Sequence, residues 1–208
     1  VNASVAGHAQ PTRRDQYAEM TRQDVIKAAR RLFAEHGYTR TTVGKIAQAA
    51  RVSPATVYAQ CGGKEGLLGT LMDMWTAGQL VLDIITACEA AGSGRAKLEV
   101  LAKGYVTIYE QFGDIIRIVT RAAASTPAAE DYLRTADQRH QDALRQIVKQ
   151  IQDEGDLADG LSLDDAAKII FFYFRHEQFV LASDTFGWGI DRTVQWITER
   201  IESAILKA

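Results

Sequence analysis

Between Lys45 and Leu68 the chain reads KIAQAARVSPATVYAQCGGKEGLL, and the reactive groups in and around it are hydroxyls and amines. Ser53, Thr56 and Tyr58 follow a turn, Thr42 precedes it, and Arg40, Arg51 and Lys64 flank them. Hydroxyls of this kind bond phosphate oxygens, as do the free N–H groups at a helix start. This is chemistry for holding a polyanion, not for breaking bonds. No catalytic set accompanies it: the chain has no GxSxG, HExxH, GxGxxG or P-loop pattern. His8, His36, His140 and His176 share no metal-ligand spacing, and Cys61 and Cys88 form no CxxC. The expectation is a non-enzyme without catalytic residues, metal or cofactor.

Charge distribution sharpens that reading. The 208 residues carry a net charge of -2 and are 47% hydrophobic, an ordinary globular balance. From Arg13 to Gly66, however, ten Lys and Arg stand against five Asp and Glu, while the rest of the chain is acidic. A basic head on an acidic body predicts that the head meets the polyanion. The sparse cysteines and the absence of a signal pattern in residues 1–12 lead us to expect a cytoplasmic protein. The most apolar run, IIFFYF at 169–174, is too short to cross a bilayer.

The elements that must position these groups are helical. Residues 1–18 read as a flexible arm. Val25, Ile26, Ala29, Leu32 and Phe33 make a helical stripe closed by Gly37. Thr41 or Thr42 caps a short helix through Val43, Ile46, Ala47 and Ala50, and Ser53-Pro54 starts another. Beyond Gly62-Gly63 the pattern predicts helices over 64–91, 95–112, 114–123, 127–154, 163–184 and 190–205. No strand alternation occurs. The expected fold is all-α with about nine helices. Its head is a three-helix helix-turn-helix domain over 19–66, followed by a helical body over 67–208.

At this point the sequence resembles the TetR family of transcriptional regulators. Ala29, Leu32, Phe33, Gly37, Thr41, Thr42, Ile46, Ala47, Ala50, Val52, Ser53, Thr56, Tyr58, Lys64, Glu65 and Leu67-Leu68 carry the resemblance, over about residues 21–70. It implies a homodimeric repressor of palindromic operator DNA, with a variable helical body that binds a small effector and pairs through its last two helices. By this resemblance Thr42, Ser53, Ala55, Thr56 and Tyr58 match positions that touch DNA, and Lys64 matches a lysine near the phosphate backbone.

Three departures stand out. Cys61 replaces a packing aromatic, which with Gly62-Gly63 predicts a more mobile head; a redox role for Cys61 is the sharper alternative. Arg51 occupies a turn position that the family gives to glycine, where left-handed backbone would cost an arginine on the order of 1 kcal/mol. Ala55 and Ala59 leave few base readers, so Arg40 and Gln60 are candidates. Arg13 and Arg14 either enter a minor groove or belong to a disordered tail.

In the body, Ile190, Val194, Ile197, Ile201 and Ile205 form one stripe, and 163–184 is apolar around much of its circumference. This predicts a four-helix dimer interface using Ile170, Phe174, Val194, Ile197, Ile201 and Ile205. Trp75, Tyr105, Tyr109, Phe112, Ile116, Phe171 and Phe174, with Arg117, Arg121, Arg175 or Gln178 as polar anchors, either line an effector pocket or fill a solid core. His176 reads as a packed or interface residue. The competing function is a helical small-molecule-binding or enzymatic protein with a vestigial head. No partner in the membrane is expected.

Overall fold

The computed structural model describes residues 12–207. Among them it is all-helical, apart from an isolated bridge between Leu157 and Leu206. The chain divides into two compact units, one ending at Leu71 and the other beginning at Met72.

In the first unit, α1 spans Arg13–His36. The arm expected over 1–18 is therefore corrected. Residues 1–11 lie outside the described residues, and Thr12 starts the helix through a capping box with Asp15. Hydroxyl and carboxylate satisfy each other's backbone donors, a signal present in the sequence as T-x-x-D. Arg13 and Arg14 thus sit on the first turn of α1. The predicted stripe of Val25, Ile26, Ala29, Leu32 and Phe33 is buried. The buried Thr41 hydroxyl donates to the carbonyls of Gly37 at 2.9 Å and Leu32 at 3.2 Å, closing the end of α1.

Two short helices follow, α2 over Val43–Ala49 and α3 over Pro54–Cys61, with Thr42 and Ser53 as their N-caps. Ile46, Ala47, Val57 and Cys61 are buried with Phe33 and Tyr38. The glycines after Cys61 answer a backbone requirement. Gly62 and Gly63 have φ of 68° and 75°, the left-handed region that side chains resist. Both serve the reversal from α3 into α4, Gly63–Thr76. A Cβ at Gly66 would stand 2.0 Å from the Cys61 carbonyl oxygen, so the first turn of α4 lies directly on the end of α3. Leu67, Leu68 and Leu71 are fully buried. The first unit therefore runs past the boundary expected at 66 and ends inside α4.

The second unit contains the end of α4, then α5 (Gln79–Ala90), α6 (Gly94–Ala123), α7 (Pro127–Asp153), α8 (Leu163–Tyr173), α9 (His176–Val180) and α10 (Ile190–Ile205). A π-helical turn, Leu181–Thr185, follows α9. α6 packs against α5, α7 and α10, and α8 packs against α7 and α10. Three expected boundaries change. The helix expected over 64–91 breaks at Ala77-Gly78, where Gly78 turns to extended backbone to cap α5. Gly113 does not interrupt α6, because Ile115, Ile116, Ile118 and Val119 bury the turn that follows it. The helix expected over 163–184 breaks at Phe174-Arg175.

Lys97 ties three of these helices together. Its side chain is buried, and its Nζ donates to the carbonyls of Cys88 and Ala91, each at 2.7 Å, at the end of α5. It also pairs with Glu154 at 2.9 Å, just beyond α7. A buried cation is tolerable when every proton has an acceptor, as here.

The α3–α4 reversal generates the first prediction. Gly66→Ala has only backbone to push against, so it should lower stability by roughly 1–3 kcal/mol. For a chain of this length that is about 2–4 °C of Tm per kcal/mol, read by thermal unfolding. A Gly66→Ala variant as stable as the parent would contradict the close approach.

Candidate functional site

The first candidate site is the exposed side of α3 and the turn before it. Tyr58 is 61% exposed, and Ser53 and Ala55 are exposed beside a half-buried Thr56. The Ser53 hydroxyl accepts from the Thr56 N–H at 3.1 Å and lies 2.9 Å from the Thr56 hydroxyl. Thr42 does the same for α2, accepting from the Lys45 N–H at 3.3 Å. Three of the predicted hydroxyls are thus engaged in fixing the two short helices while remaining at the surface. Tyr58 leans on the reversal: a Cβ at Gly63 would meet its ring at 2.6 Å.

The cations around this face differ in freedom. Arg51 is exposed, and with φ of 58° it is the non-glycine residue with left-handed backbone among the described residues. Arg40 is exposed and donates to the His36 carbonyl at 2.9 Å. Lys64 is half-buried, with its ammonium 4.2 Å from the Tyr38 ring centre and 3.5 Å from the Thr39 carbonyl. Burial lowers its pKa, partly offset by Glu65. Cys61 has the reverse of an activated thiol's environment. Burial raises its pKa, and the nearby Arg22 offsets this only in part, so the thiolate needed for redox sensing is disfavoured.

The second candidate site is a cavity of about 100 Å³ within the body. Trp75, Tyr105, Tyr109, Phe174 and Arg175 lie on its wall. Of the other predicted lining residues, Phe112 is half-buried away from it, and Arg117 faces a neighbouring cleft. Phe171 packs edge-on behind the His140 ring, with centroids 5.0 Å apart. These three are corrections: Arg117 lies off the face of α6 that carries Tyr109 and Ile116, Phe171 at the end of α8 packs against His140, and nothing in the structure explains why Phe112 stays off the wall. Two stacks build the wall, Tyr105 on Phe174 at 3.8 Å and Tyr109 on Phe179 at 3.9 Å.

The wall also holds residues that sequence reasoning missed: Asp137, Arg139, His140 and Glu177. Three of them lie on α7, a helix whose mixed pattern gave no local sign of them. Arg175 donates to Asp137 at 2.5 Å and to Glu177 at 2.9 Å. Arg139 donates to Asp73 at 2.6 Å and to the Thr76 hydroxyl at 2.9 Å. The Tyr105 hydroxyl is hydrogen-bonded to His140 Nε2. Burial, reinforced by the charge of Arg175, pushes the His140 pKa down to about 4, so the ring is neutral at pH 7. The His176 pKa is lowered by burial as well, and its Nδ1 is buried without a hydrogen-bond partner.

The predicted dimer residues require correction. Ile170, Phe174, Val194, Ile197, Ile201 and Ile205 are each at most 4% exposed within a single chain. They pack into the body's own core, because the stripe of α10 faces α6 and α8. The apolar surface that remains lies on the other side of these helices. Phe172 is 60% exposed and Trp196 44%, with Tyr173 and Trp188 in ring contact nearby. Among the described residues no cluster of three His, Cys, Asp or Glu is placed to hold a metal. No described helix is long and apolar enough to cross a membrane.

Comparison with known proteins is consistent with this geometry. Residues 25–71 match the family model described as bacterial regulatory proteins, tetR family. An HTH-type transcriptional regulator of Mycobacterium tuberculosis is 28% identical over 145 residues, 68% of each chain. The probable acrEF/envCD operon repressor of Escherichia coli is 26% identical over 159 residues, 72% of this chain and 70% of that one. Among solved structures, the SmeT–triclosan complex, from Stenotrophomonas maltophilia, superimposes with a TM-score of 0.74 at 18% identity. The match covers 90% of this chain and 92% of that one.

His140 generates the second prediction. Unfolded, it takes a proton near its ordinary value of 6.5; folded, only near 4. Unfolding therefore takes up a proton in that window. The stability is complete above pH 6.5 and is lost as pH falls towards 4, by at most about 1.4 kcal/mol per pH unit. His140→Gln keeps an acceptor for Tyr105 but does not titrate. Urea midpoints at pH 7 and pH 5 should differ less for this variant than for the parent; equal pH dependence would refute the buried neutral ring.

Proposed function

We propose, from the match of residues 25–71 to the tetR family of bacterial regulatory proteins, that this chain is a dimeric transcriptional repressor released from its operator by a small, mostly apolar effector. The observation that carries the reading is the exposed face of α3 with Ser53, Ala55, Thr56 and Tyr58, in a basic unit whose turn presents Arg51. The second helix of a helix-turn-helix enters the major groove while the first braces it. Thr42 and Ser53 sit at helix starts, where phosphate oxygens find free N–H groups. Lys64, Arg40 and Arg51 supply the sequence-independent attraction to phosphate.

The cavity supports the second half of the reading. Trp75 and Thr76 on its wall belong to α4, the helix that begins at Gly63 beside Tyr58. An effector that binds one setting of this helix more tightly shifts the population towards it, and equal affinity for both settings would shift nothing. The resemblance of the fold to SmeT, whose structure is known with triclosan, supports an effector of modest size and low polarity. In a two-fold dimer the two heads would address successive major grooves, ~34–36 Å apart. The exposed Phe172 and Trp196 on the outer faces of α8 and α10 are the residues we assign to pairing.

Selection from random duplex DNA tests the whole reading, with enrichment of a palindrome as the expected outcome. On that site Tyr58→Ala should weaken binding by roughly tenfold, the lower range for a lost specific contact. Lys64→Ala and Arg51→Gly should each reduce the slope of log K against log salt by about one. Arg51→Gly should at the same time stabilise the head by on the order of 1 kcal/mol, because the left-handed strain disappears. Unaltered affinity in all three variants would place the DNA face elsewhere.

Pairing has its own test. The double variant Phe172→Asp, Trp196→Asp should raise the dimer dissociation constant by roughly 100-fold or more, as loss of two aromatic anchors does. Sedimentation equilibrium reads this. Val194→Ala should instead lower thermal stability and leave pairing intact. Reversal of these two results would return the interface to the inner stripe.

A further inference from the structure

The outer face of α3 has a chemistry of its own. Val57 and Cys61 are buried on one side of the helix, and Ala55, Tyr58 and Ala59 are exposed on the other. These three positions are three and four apart, so they share one face. That face consists of two methyl groups and a phenol ring, with the Tyr58 hydroxyl as its polar group. The ring occupies the space that a side chain at position 63 would need, and Gly63 leaves it there. The hydroxyls at the start of α3 serve the helix itself: Ser53 Oγ accepts from the Thr56 N–H and meets the Thr56 hydroxyl. Gln60 is half-buried on the flank.

The cations nearby lie along the main chain that joins α1 to α2. Arg40 donates to the His36 carbonyl at 2.9 Å, Lys45 to the Arg40 carbonyl at 3.4 Å and Lys64 to the Thr39 carbonyl at 3.5 Å. With the exposed Arg51 they make the surroundings of α3 complementary to a polyanion. Contacts of this kind with phosphate position a protein on the duplex and carry no sequence information. Sequence is read in the major groove, where guanine suits Arg or Lys, adenine suits Asn or Gln, and the C5-methyl of thymine suits Ala or another apolar group. The face of Ala55, Tyr58 and Ala59 meets the last of these. Alanine is also short, so the helix backbone can come close to the base edges, and a thymine methyl fills the gap that another base would leave.

We propose that the operator is read through thymine methyls, with Ala55 and Ala59 packed on C5-methyl groups in each half-site and the Tyr58 hydroxyl adding one hydrogen bond. This rests on the regulator reading above and names the base chemistry of its DNA face. The bases beneath α3 are A·T pairs, and discrimination there comes from apolar contact, while the surrounding cations supply the attraction to phosphate.

The test uses the full chain and the site enriched from random duplex DNA. Deoxyuridine in place of each thymine, one position at a time, removes a methyl and leaves every hydrogen-bonding group of the base unchanged. Fluorescence anisotropy at fixed salt should show binding weakened about fourfold at the thymines beneath α3, the contribution of burying one methyl-sized group. The slope of log K against log salt should stay the same on the uracil sites, because no phosphate contact is lost. In Ala55→Ser and Ala59→Ser the difference between thymine and uracil should shrink at the base facing the changed residue and persist elsewhere. Equal affinity for thymine and uracil at every position of the unaltered protein would overturn the proposal. So would a half-site whose guanines lose binding on replacement by 7-deazaguanine, which would assign the readout to a cation such as Arg40 or Lys45. Either result leaves the regulator reading standing. A selection without any enriched site removes the regulator reading, and this proposal with it.

Discussion

Arg175 brings a guanidinium to 2.5 Å from Asp137 on α7 and 2.9 Å from Glu177 on α9, in a half-buried position. It makes both contacts from the break between α8 and α9, where its backbone is extended with ψ of 146°. The apolar run that begins in α8 is therefore cut after Phe174. The cut lets Phe174 stack on Tyr105 while Phe179, a turn later, stacks on Tyr109. A continuous helix would carry one apolar face past α6 and fill the space. The interruption instead brings His176 and Glu177 to the wall, and the cavity lies among them. Ion pairs in such places contribute little net stability, because desolvation offsets attraction. What they do here is geometric: they join α7 and α9 across the break.

The same logic explains which parts of the molecule were legible in the sequence. The head was readable because its determinants are local. The stripe from Val25 to Phe33, the hydroxyl caps at Thr42 and Ser53, and the left-handed turn at Arg51 each depend on residues within one or two turns. The capping box at Thr12 was equally local and was overlooked because the preceding residues are small and polar. The body was legible in class but not in detail. The stripe of α10 is real, yet periodicity reports only that a face is buried and not what covers it. The inner faces of α8 and α10 meet their own core, so the six residues expected between subunits lie inside one.

The cavity was the least legible feature, for a physical reason. Tyr105 and His140 are 35 positions apart, and Arg175 and Asp137 are 38 apart. Such pairs have no short-range signature. Aromatic residues along α6 announced that something apolar would be there, but the polar wall comes from α7, whose outward and inward faces both carry charge. Gly113 misled for a related reason. In isolation it weakens a helix by about 1 kcal/mol relative to alanine, and burial of the following turn outweighs that.

α3 is eight residues long, too short to be helical on its own account. Its direction is imposed by what brackets it. At its end, Gly62 and Gly63 take left-handed backbone at no steric cost, and Gly66 lets α4 close on the Cys61 carbonyl. Before its start, Arg51 takes the same kind of backbone at a cost, although glycine would satisfy the turn. Strain held by a non-glycine residue points to a role for the side chain. Arg51 is exposed and adds a cation to a basic unit beside the face bearing Ser53, Thr56 and Tyr58. Within the proposed reading, a small loss of stability at the first turn yields a fixed charge next to the groove-facing helix. The glycines at the other end hold the geometry without adding chemistry.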